Sequence, residues 1–447
     1  MLSLPTHPHP TMSKIRKVIL LLLTILVLAV LLAPAWMPLH PATRAVYNIA
    51  EYRVRRWWWD QVGAPQDVGE GSLSGWVVDM DGRPVPDALV LVSTATGGTF
   101  TGRTDQDGWY AIPNIAAGRY RPISAAWEYN LPAHSQDANA GPMLYLGQDL
   151  QRFDPILTPR TPPPISPQPE TLVLGPPVSV TTDFPTDAIA IRHAITFTHE
   201  NATIDGDLLY TPAEDGSLRS TQDSAWPLLV MVYPSPAIRW EKATIQFAAA
   251  GYAVLAITPD EERGLDLEAH ARDLRMALHY AQQGLLSPNI AGPDFIMLTG
   301  SFGSLFGYRA LPDLQHLQAI VNIGGISDGF LGVQALYSET LAIPPPYDLA
   351  VASMGRPDRD PGFFLAYSPA YFAEHHPPTL LIHTYEDEII PYNQSQRLAD
   401  ALREAGIPHE LHLYHAETHY LDPRTPSDEA YIVFELVFDF IRRWFPT

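Results

Sequence analysis

The 447-residue sequence has no cysteine, and this removes disulfide staples, thiolate zinc sites, iron–sulfur clusters and cysteine nucleophiles from consideration. Basic residues are scarce: 28 Lys and Arg stand against 49 Asp and Glu, a formal charge of −21. A chain this acidic repels phosphate backbones and offers no basic stripe, so nucleic acid is excluded as a partner. What it has instead is 46% hydrophobic and 10% aromatic residues, enough for a large core, together with 44 prolines. That is about twice the ordinary proline usage and forecasts long extended or turn-rich segments. The length suits roughly two or three domains.

One long apolar run stands near the N-terminus. Residues 18–37, VILLLLTILVLAVLLAPAWM, hold Thr24 as their single polar side chain. Some twenty residues at helical rise cross a hydrocarbon layer of about 30 Å. Lys14, Arg16 and Lys17 precede the run and Arg44 is the first base after it, so the positive-inside rule puts residues 1–17 in the cytoplasm and the rest outside. The bias is softened by Arg53, Arg55 and Arg56 further on. Either the run stays as a single-pass membrane anchor, or it is a signal cleaved at the A-x-A pattern of Ala33, Pro34 and Ala35, which would leave a secreted protein. Its length exceeds an ordinary signal h-region and favours the anchor. Trp57, Trp58 and Trp59 suit either headgroup depth or a buried aromatic cluster.

Residues 71–126 read as short strands broken by turns, with LSGWVVD, DALVLVS, TFTGRT and WYAI separated by DGRP and DQDG. Such spacing predicts a small antiparallel β-sandwich. The order Gly75, Asp79, Gly82, Pro84, Ala88, Val90, Thr104, Asp105, Gly108, Tyr110, Gly118 and Tyr120 resembles the carboxypeptidase-regulatory-like, transthyretin-like module of exported bacterial proteins. The resemblance implies a non-catalytic accessory domain, a ligand-binding unit or a stalk. Residues 127–153 carry no assignable pattern. Residues 154–178 contain nine prolines and read as a semi-rigid polyproline spacer at a domain boundary.

The remainder, residues 185–447, alternates strand and helix. ITFTHENATIDGDLLYTP reads as antiparallel strands; LLVMVY, YAVLAIT, FIMLT, AIVNI, TLLIH and ELHLY read as further strands, the first two as uninterrupted buried runs. Helices fall at EKATIQFAAA, along Leu267, Leu274, Leu278 and Ala281, and over residues 394–405 and 428–445. The expectation is a doubly wound, mostly parallel α/β sheet with its chemistry at the carboxyl ends of the strands.

Three residues sit where a hydrolase needs them. After FIMLT the chain reads Thr299-Gly300-Ser301-Phe302-Gly303-Ser304 and enters a helix, the context of a nucleophile elbow, in which a serine occupies a strained strand-to-helix turn flanked by small residues. Gly300 and Gly303 fit; Thr299 replaces the usual first glycine. After TLLIH come Glu386, Asp387 and Glu388, of which Asp387 has the H-x-x-x-D-x-x-I-P setting expected of the orienting carboxylate, while its neighbours read as solvated charge. After ELHLY, His419 has the loop position of a general base, whereas His412 and His415 read as structural.

These features resemble the α/β-hydrolase superfamily, and within it the prolyl-oligopeptidase-like and dienelactone-hydrolase-like serine hydrolases, over roughly residues 204–445. The entry DGDLLYTP and Ser368-Pro369 belong to the same likeness. It implies a triad of Ser301, Asp387 and His419, without metal or organic cofactor, acting on a small ester or peptide substrate. The chain departs from relatives with His-Gly-Gly after the first core strand by having Tyr233-Pro234-Ser235-Pro236, in which the prolines have no N–H to donate. An oxyanion hole is then expected from the Phe302 N–H with the Tyr233 hydroxyl or the Ser235 or Ala237 N–H; relatives with tyrosine there favour the hydroxyl. There is no room upstream for a β-propeller, which places an esterase ahead of a peptidase. Thr299 and the proline-rich loop keep open an alternative, a catalytically inactive hydrolase fold used as a cell-surface binding module. A purely structural envelope protein is argued against by the three site residues.

Overall fold

The uninterrupted apolar runs lie side by side in a ten-stranded sheet, where burial on both faces accounts for their lack of alternation. The computed structural model describes residues 37, 41–63, 69–129, 141–147, 150–211, 226–264, 266–287, 289–338, 347–415, 418–419 and 427–445. The sheet's strands are β1 (Val173–Leu174), β2 (Val178–Thr182), β3 (Ala188–His199), β4 (Ala202–Tyr210), β5 (Trp226–Val232), β6 (Ala253–Thr258), β7 (Ile290–Gly300), β8 (Leu317–Ile323), β9 (Thr379–Thr384) and β10 (His409–Tyr414). Their order is β1-β3-β4-β6-β5-β7-β8-β9-β10, with β2 also on β3. Strands β3 and β4 form an antiparallel hairpin, β4 meets β6 antiparallel, and every pair from β6 to β10 is parallel.

Helices α1 (Glu241–Ala249), α2 (Leu267–Gln282), α3 (Gly303–Ala310), α4 (Gly329–Ser338), α5 (Pro361–Ala366), α6 (Asn393–Glu404) and α7 (Asp428–Trp444) lie in the connections between the strands and after the last of them. Side chains of β7 alternate across the sheet. Ile296 and Leu298 join Ile245 and Phe247 of α1 and Val433, Val437 and Phe440 of α7 in one apolar cluster, while Met297 faces Gly307 of α3. Helix α7 is set by its ends: the Ser427 hydroxyl accepts from Ala430 N–H at 3.1 Å, Asp428 and Glu429 occupy the first turn, and Arg442 and Arg443 the last. The chain leaves β5 for β6 on one side and for β7 on the other, so the strand order reverses between β5 and β7. A crevice at the carboxyl ends of the strands belongs there.

The β module holds two three-stranded sheets, one in the order 109–115, 71–76, 150–152 and one in the order 99–103, 89–93, 123–125. Leu73, Val90, Val92, Tyr110 and Ile112 fill its core. Asp79 and Asp105 build the turns read in the sequence, each accepting two backbone N–H groups through Oδ1 ahead of a positive-φ glycine, Gly82 or Gly108. The module is not purely antiparallel and does not stop at residue 126: Leu150–Arg152 runs parallel to Gly71–Trp76, and Ile156–Leu157 parallel to Val78–Asp79. These are two- and three-residue strands, too short to show alternation in the sequence.

Residues 154–178, expected as a spacer, are held along the α/β domain. Arg275 Nη2 donates to Pro163 O at 3.0 Å, the Gln168 N–H donates to Tyr280 Oη at 3.1 Å, and Arg160 pairs with Asp313 at 2.5 Å. Proline removes a donor but keeps its carbonyl acceptor, so Pro163 accepts from Arg275 while the non-proline residues Arg160 and Gln168 supply the donors. The module itself meets the domain through Arg103, which donates to Tyr371 O at 2.6 Å, and through Trp127 stacked on His375.

A separate unit groups the helix Pro41–Val62 with the helix Tyr347–Ser353, Asn48 Nδ2 donating to Ser353 O at 2.7 Å. Trp57 and Trp58 are 61% and 54% exposed, so the three tryptophans are not a buried cluster. Among the described residues no helix is long and apolar enough to cross a membrane. Of the run at residues 18–37 only Met37 is described.

Candidate active site

Ser301 follows β7 directly and enters α3 with φ 51°, a left-handed backbone that costs a non-glycine residue free energy and is retained where the surroundings over-determine it. Two hydrogen bonds set the turn: Ser301 N–H donates to Ile323 O at 3.1 Å, and Ser304 N–H to Ser301 O at 3.2 Å. The two glycines are dictated by close approach. A Cβ on Gly300 would lie 2.4 Å from Ile323 O and 2.8 Å from Tyr233 Oη; one on Gly303 would lie 2.7 Å from Val232 O. Thr299 does not crowd the turn. It is the penultimate residue of β7, fully buried, and its hydroxyl donates to Val232 O on β5 at 3.1 Å.

The three residues singled out from the sequence converge. Ser301 Oγ lies 2.8 Å from His419 Nε2, and His419 Nδ1 lies 2.7 Å from Asp387 Oδ2. A carboxylate opposite Nδ1 fixes the proton there and leaves Nε2 free to accept from the serine. Asp387 Oδ1 accepts the N–H groups of Ile389 and Ile390 at 2.9 and 2.7 Å. Burial on its own would raise the Asp387 carboxyl, but hydrogen bonds from His383 and His419 outweigh it and hold the group down at about 2. It is therefore a carboxylate at any physiological pH.

Two partners of this constellation are not evident as such in the sequence. His383, the penultimate residue of β9 and fully buried, places Nε2 3.1 Å from Asp387 Oδ2 and 2.8 Å from Ile390 O. Both are acceptors, so Nε2 carries the proton. Its Nδ1 meets Ser395 Oγ of α6 at 2.7 Å. The H-x-x-x-D spacing that singled out Asp387 already contained this contact. Glu388, expected as solvated charge, is exposed yet accepts the His419 backbone N–H at 3.1 Å and so tethers the loop that carries the base. Glu386 also has a partner, His415 Nδ1 at 2.7 Å. His412 lies 3.3 Å from Glu429.

On the oxyanion side, the Phe302 N–H has no hydrogen-bond partner among the described residues, and neither has the Tyr233 hydroxyl. Burial raises the Tyr233 phenol above its ordinary value, so it stays a donor. The Ala237 N–H is taken, donating to Thr258 Oγ1 at 2.8 Å. Ser235 Oγ accepts from Trp240 Nε1 at 2.6 Å, and Trp240 packs on the Tyr233 ring with centroids 3.8 Å apart. A cavity of about 70 Å³ opens beside Ser301, His419 and Tyr233. Among the described residues no group of three or more histidine or acidic side chains is arranged to hold a metal ion.

Residues 307–447 match the prolyl oligopeptidase family and residues 72–134 the carboxypeptidase regulatory-like domain. The first match contains Asp387 and His419 and begins six residues after Ser301. No curated protein matches the chain significantly. Among solved structures, a sugar hydrolase from Lactococcus lactis is similar at 16% identity and TM-score 0.44, over 56% of this chain and 97% of its own. An esterase from the Planctomycetes species Thermogutta terrifontis is similar at 17% identity and TM-score 0.41, over 55% and 92%. The acylaminoacyl peptidase of Pyrococcus horikoshii is similar at 15% identity and TM-score 0.47, over 81% of this chain and 56% of its own. With the elbow, the strand order and the family match together, the chain is a serine hydrolase of α/β-hydrolase fold that carries a prolyl oligopeptidase family domain, preceded by a carboxypeptidase regulatory-like domain.

Proposed function

We propose that the protein cleaves carboxylic esters through an acyl-enzyme on Ser301, with its hydrolase domain held outside the cytoplasm by residues 18–37. One observation carries the chemistry: the unbroken relay from Ser301 Oγ to His419 at 2.8 Å and from His419 to Asp387 at 2.7 Å. Ser301 Oγ attacks the ester carbonyl carbon while its proton passes to His419 Nε2. Asp387, ionised throughout, holds the resulting imidazolium. The carbonyl oxygen gains negative charge and accepts hydrogen bonds from the Phe302 N–H and the Tyr233 hydroxyl. Collapse breaks the C–O bond to the alcohol, which leaves with the proton from His419. A water then repeats the sequence on the acyl-enzyme and restores the serine.

An ester is placed first; the prolyl oligopeptidase family match over residues 307–447 supports a peptide or amide as the second reading. Extracytoplasmic placement rests on the apolar run and the bases before it. The test is a fluorophosphonate probe on the purified full-length protein, followed by peptide mapping. Labelling at Ser301 is the expected result. A folded protein that neither takes the probe nor hydrolyses any short p-nitrophenyl ester overturns the assignment and leaves the inactive binding module in its place.

A further inference from the structure

The cavity beside Ser301 has a one-sided chemistry. Among its lining side chains, polar atoms belong to Ser301, His419, Tyr233 and Trp240, and the Trp240 N–H is already spent on Ser235 Oγ. The rest is hydrocarbon. It comes from α1 and the turn before it, through Trp240, Ala243 and Phe247, and from α7, through Val433, Phe434 and Val437. Among the described residues, no carboxylate, ammonium or guanidinium group lines it. On the last helix Val433 and Val437 recur at the spacing of a buried face, and beside Phe434 that face also borders open space.

We infer that this cavity is the acyl pocket of the enzyme and selects substrates whose acid portion is a neutral, apolar chain. The inference rests on the hydrolase function proposed for Ser301. When the ester C–O bond breaks, the alcohol departs and the acyl group remains bonded to Ser301 Oγ, so a hydrocarbon slot opening onto that oxygen receives the half of the substrate that stays. An apolar chain entering it leaves water for a matching surface, whereas a charged chain would be buried without a partner. Ala243 and Phe434 set the room available. Ala243 is a small, half-buried residue where a larger side chain would fill the slot; Phe434, half-buried and packed on Phe184 and Phe247, closes part of it.

The experiment measures kcat/KM of the full-length protein on p-nitrophenyl esters from acetate to decanoate, on acetate esters of alcohols of increasing length, and on a p-nitrophenyl ester ending in a carboxylate. The expected result is a rise of about fourfold per acyl methylene until the slot is filled, the yield of burying one methylene. Alcohol length should have little effect, and the carboxylate-ended ester should lose at least about tenfold against its neutral equivalent. Ala243→Phe should lower the decanoate-to-acetate ratio by about tenfold or more and move the optimum to shorter chains; Phe434→Ala should move it to longer ones. Ala243→Leu serves if the phenylalanine variant does not fold. Ser301 labelling with a flat acyl-length profile, a dependence on alcohol length instead, or folded variants that leave the optimum in place each overturn the pocket and spare the hydrolase assignment. Absence of both labelling and hydrolysis overturns that assignment and the pocket with it.

Discussion

His383 and Asp387 stand four residues apart across the end of β9, and His383 Nε2 donates to the same carboxylate oxygen, at 3.1 Å, that accepts from His419 at 2.7 Å. One oxygen thus holds two imidazoles, and the second is fixed in turn by Ser395 Oγ and Ile390 O. His383 is a positioning residue. His383→Ala should lower kcat about tenfold with little change in KM, and His383→Gln, whose amide Nε2 keeps a donor of similar reach, should recover part of it. A purely structural role would lower stability and leave the kcat of the folded fraction intact. The separate signature is the Asp387 titration: losing one hydrogen bond while keeping the burial moves it up from about 2.

Ser301→Ala should abolish probe labelling and lower kcat by about 10⁴-fold or more, with His419→Ala losing nearly as much because the members act as a unit. Circular dichroism and thermal melting check that the fold survives. Full activity in folded Ser301→Ala protein would remove Ser301 from the mechanism.

Tyr233→Phe deletes one oxygen and keeps the ring that packs on Trp240. If the hydroxyl completes the oxyanion hole, kcat should fall about 100- to 1000-fold, equivalent to about 2.7–4 kcal/mol, with KM and Tm nearly unchanged. An unchanged kcat makes Tyr233 the last packed residue of its strand and passes the donor role to a backbone amide such as Ser235, leaving Ser301 as it was.

Stability should fall in two steps on acidification. Burial holds His376 down at about 4 against an ordinary 6.5, so between those values the unfolded chain binds the proton more readily and folding loses up to ~3 kcal/mol. Asp387 is the opposite kind of group, a carboxylate held at about 2 against 3.8; its contribution of order ~2 kcal/mol is present above 3.8 and lost as pH falls towards 2. Urea unfolding between pH 7 and 2 measures both windows. His376→Gln should flatten the slope between 6.5 and 4 whatever it does to the overall level; an unchanged slope assigns that window to other groups.

Full-length protein should sediment with membranes and resist high salt, deletion of residues 18–37 should release it, and protease added to intact cells should reach the hydrolase domain. A protected hydrolase domain would reverse the orientation drawn from Lys14, Arg16 and Lys17.

The sequence by itself determined the parallel strands and most of the helices between them, because apolar periodicity is a local signal; the helices Gly329–Ser338 and Pro361–Ala366 between β8 and β9 were not legible in it. It likewise singled out Ser301, Asp387 and His419, because a strand-to-helix turn, an acid after a late strand and a histidine before the last helix are readable in chain order. Tertiary structure decided what depends on residues far apart in the chain. The short parallel pairings that carry the module to residue 157, the docking of the proline-rich stretch through Arg160, Pro163 and Gln168, and the bond that excuses Thr299 by reaching Val232 all join distant segments. So does the apolar slot, whose lining from α1 and α7 is indistinguishable in sequence from core. Local patterns record which face of an element is apolar. Whether that face meets another side chain or an open cavity is fixed only when the whole chain has packed.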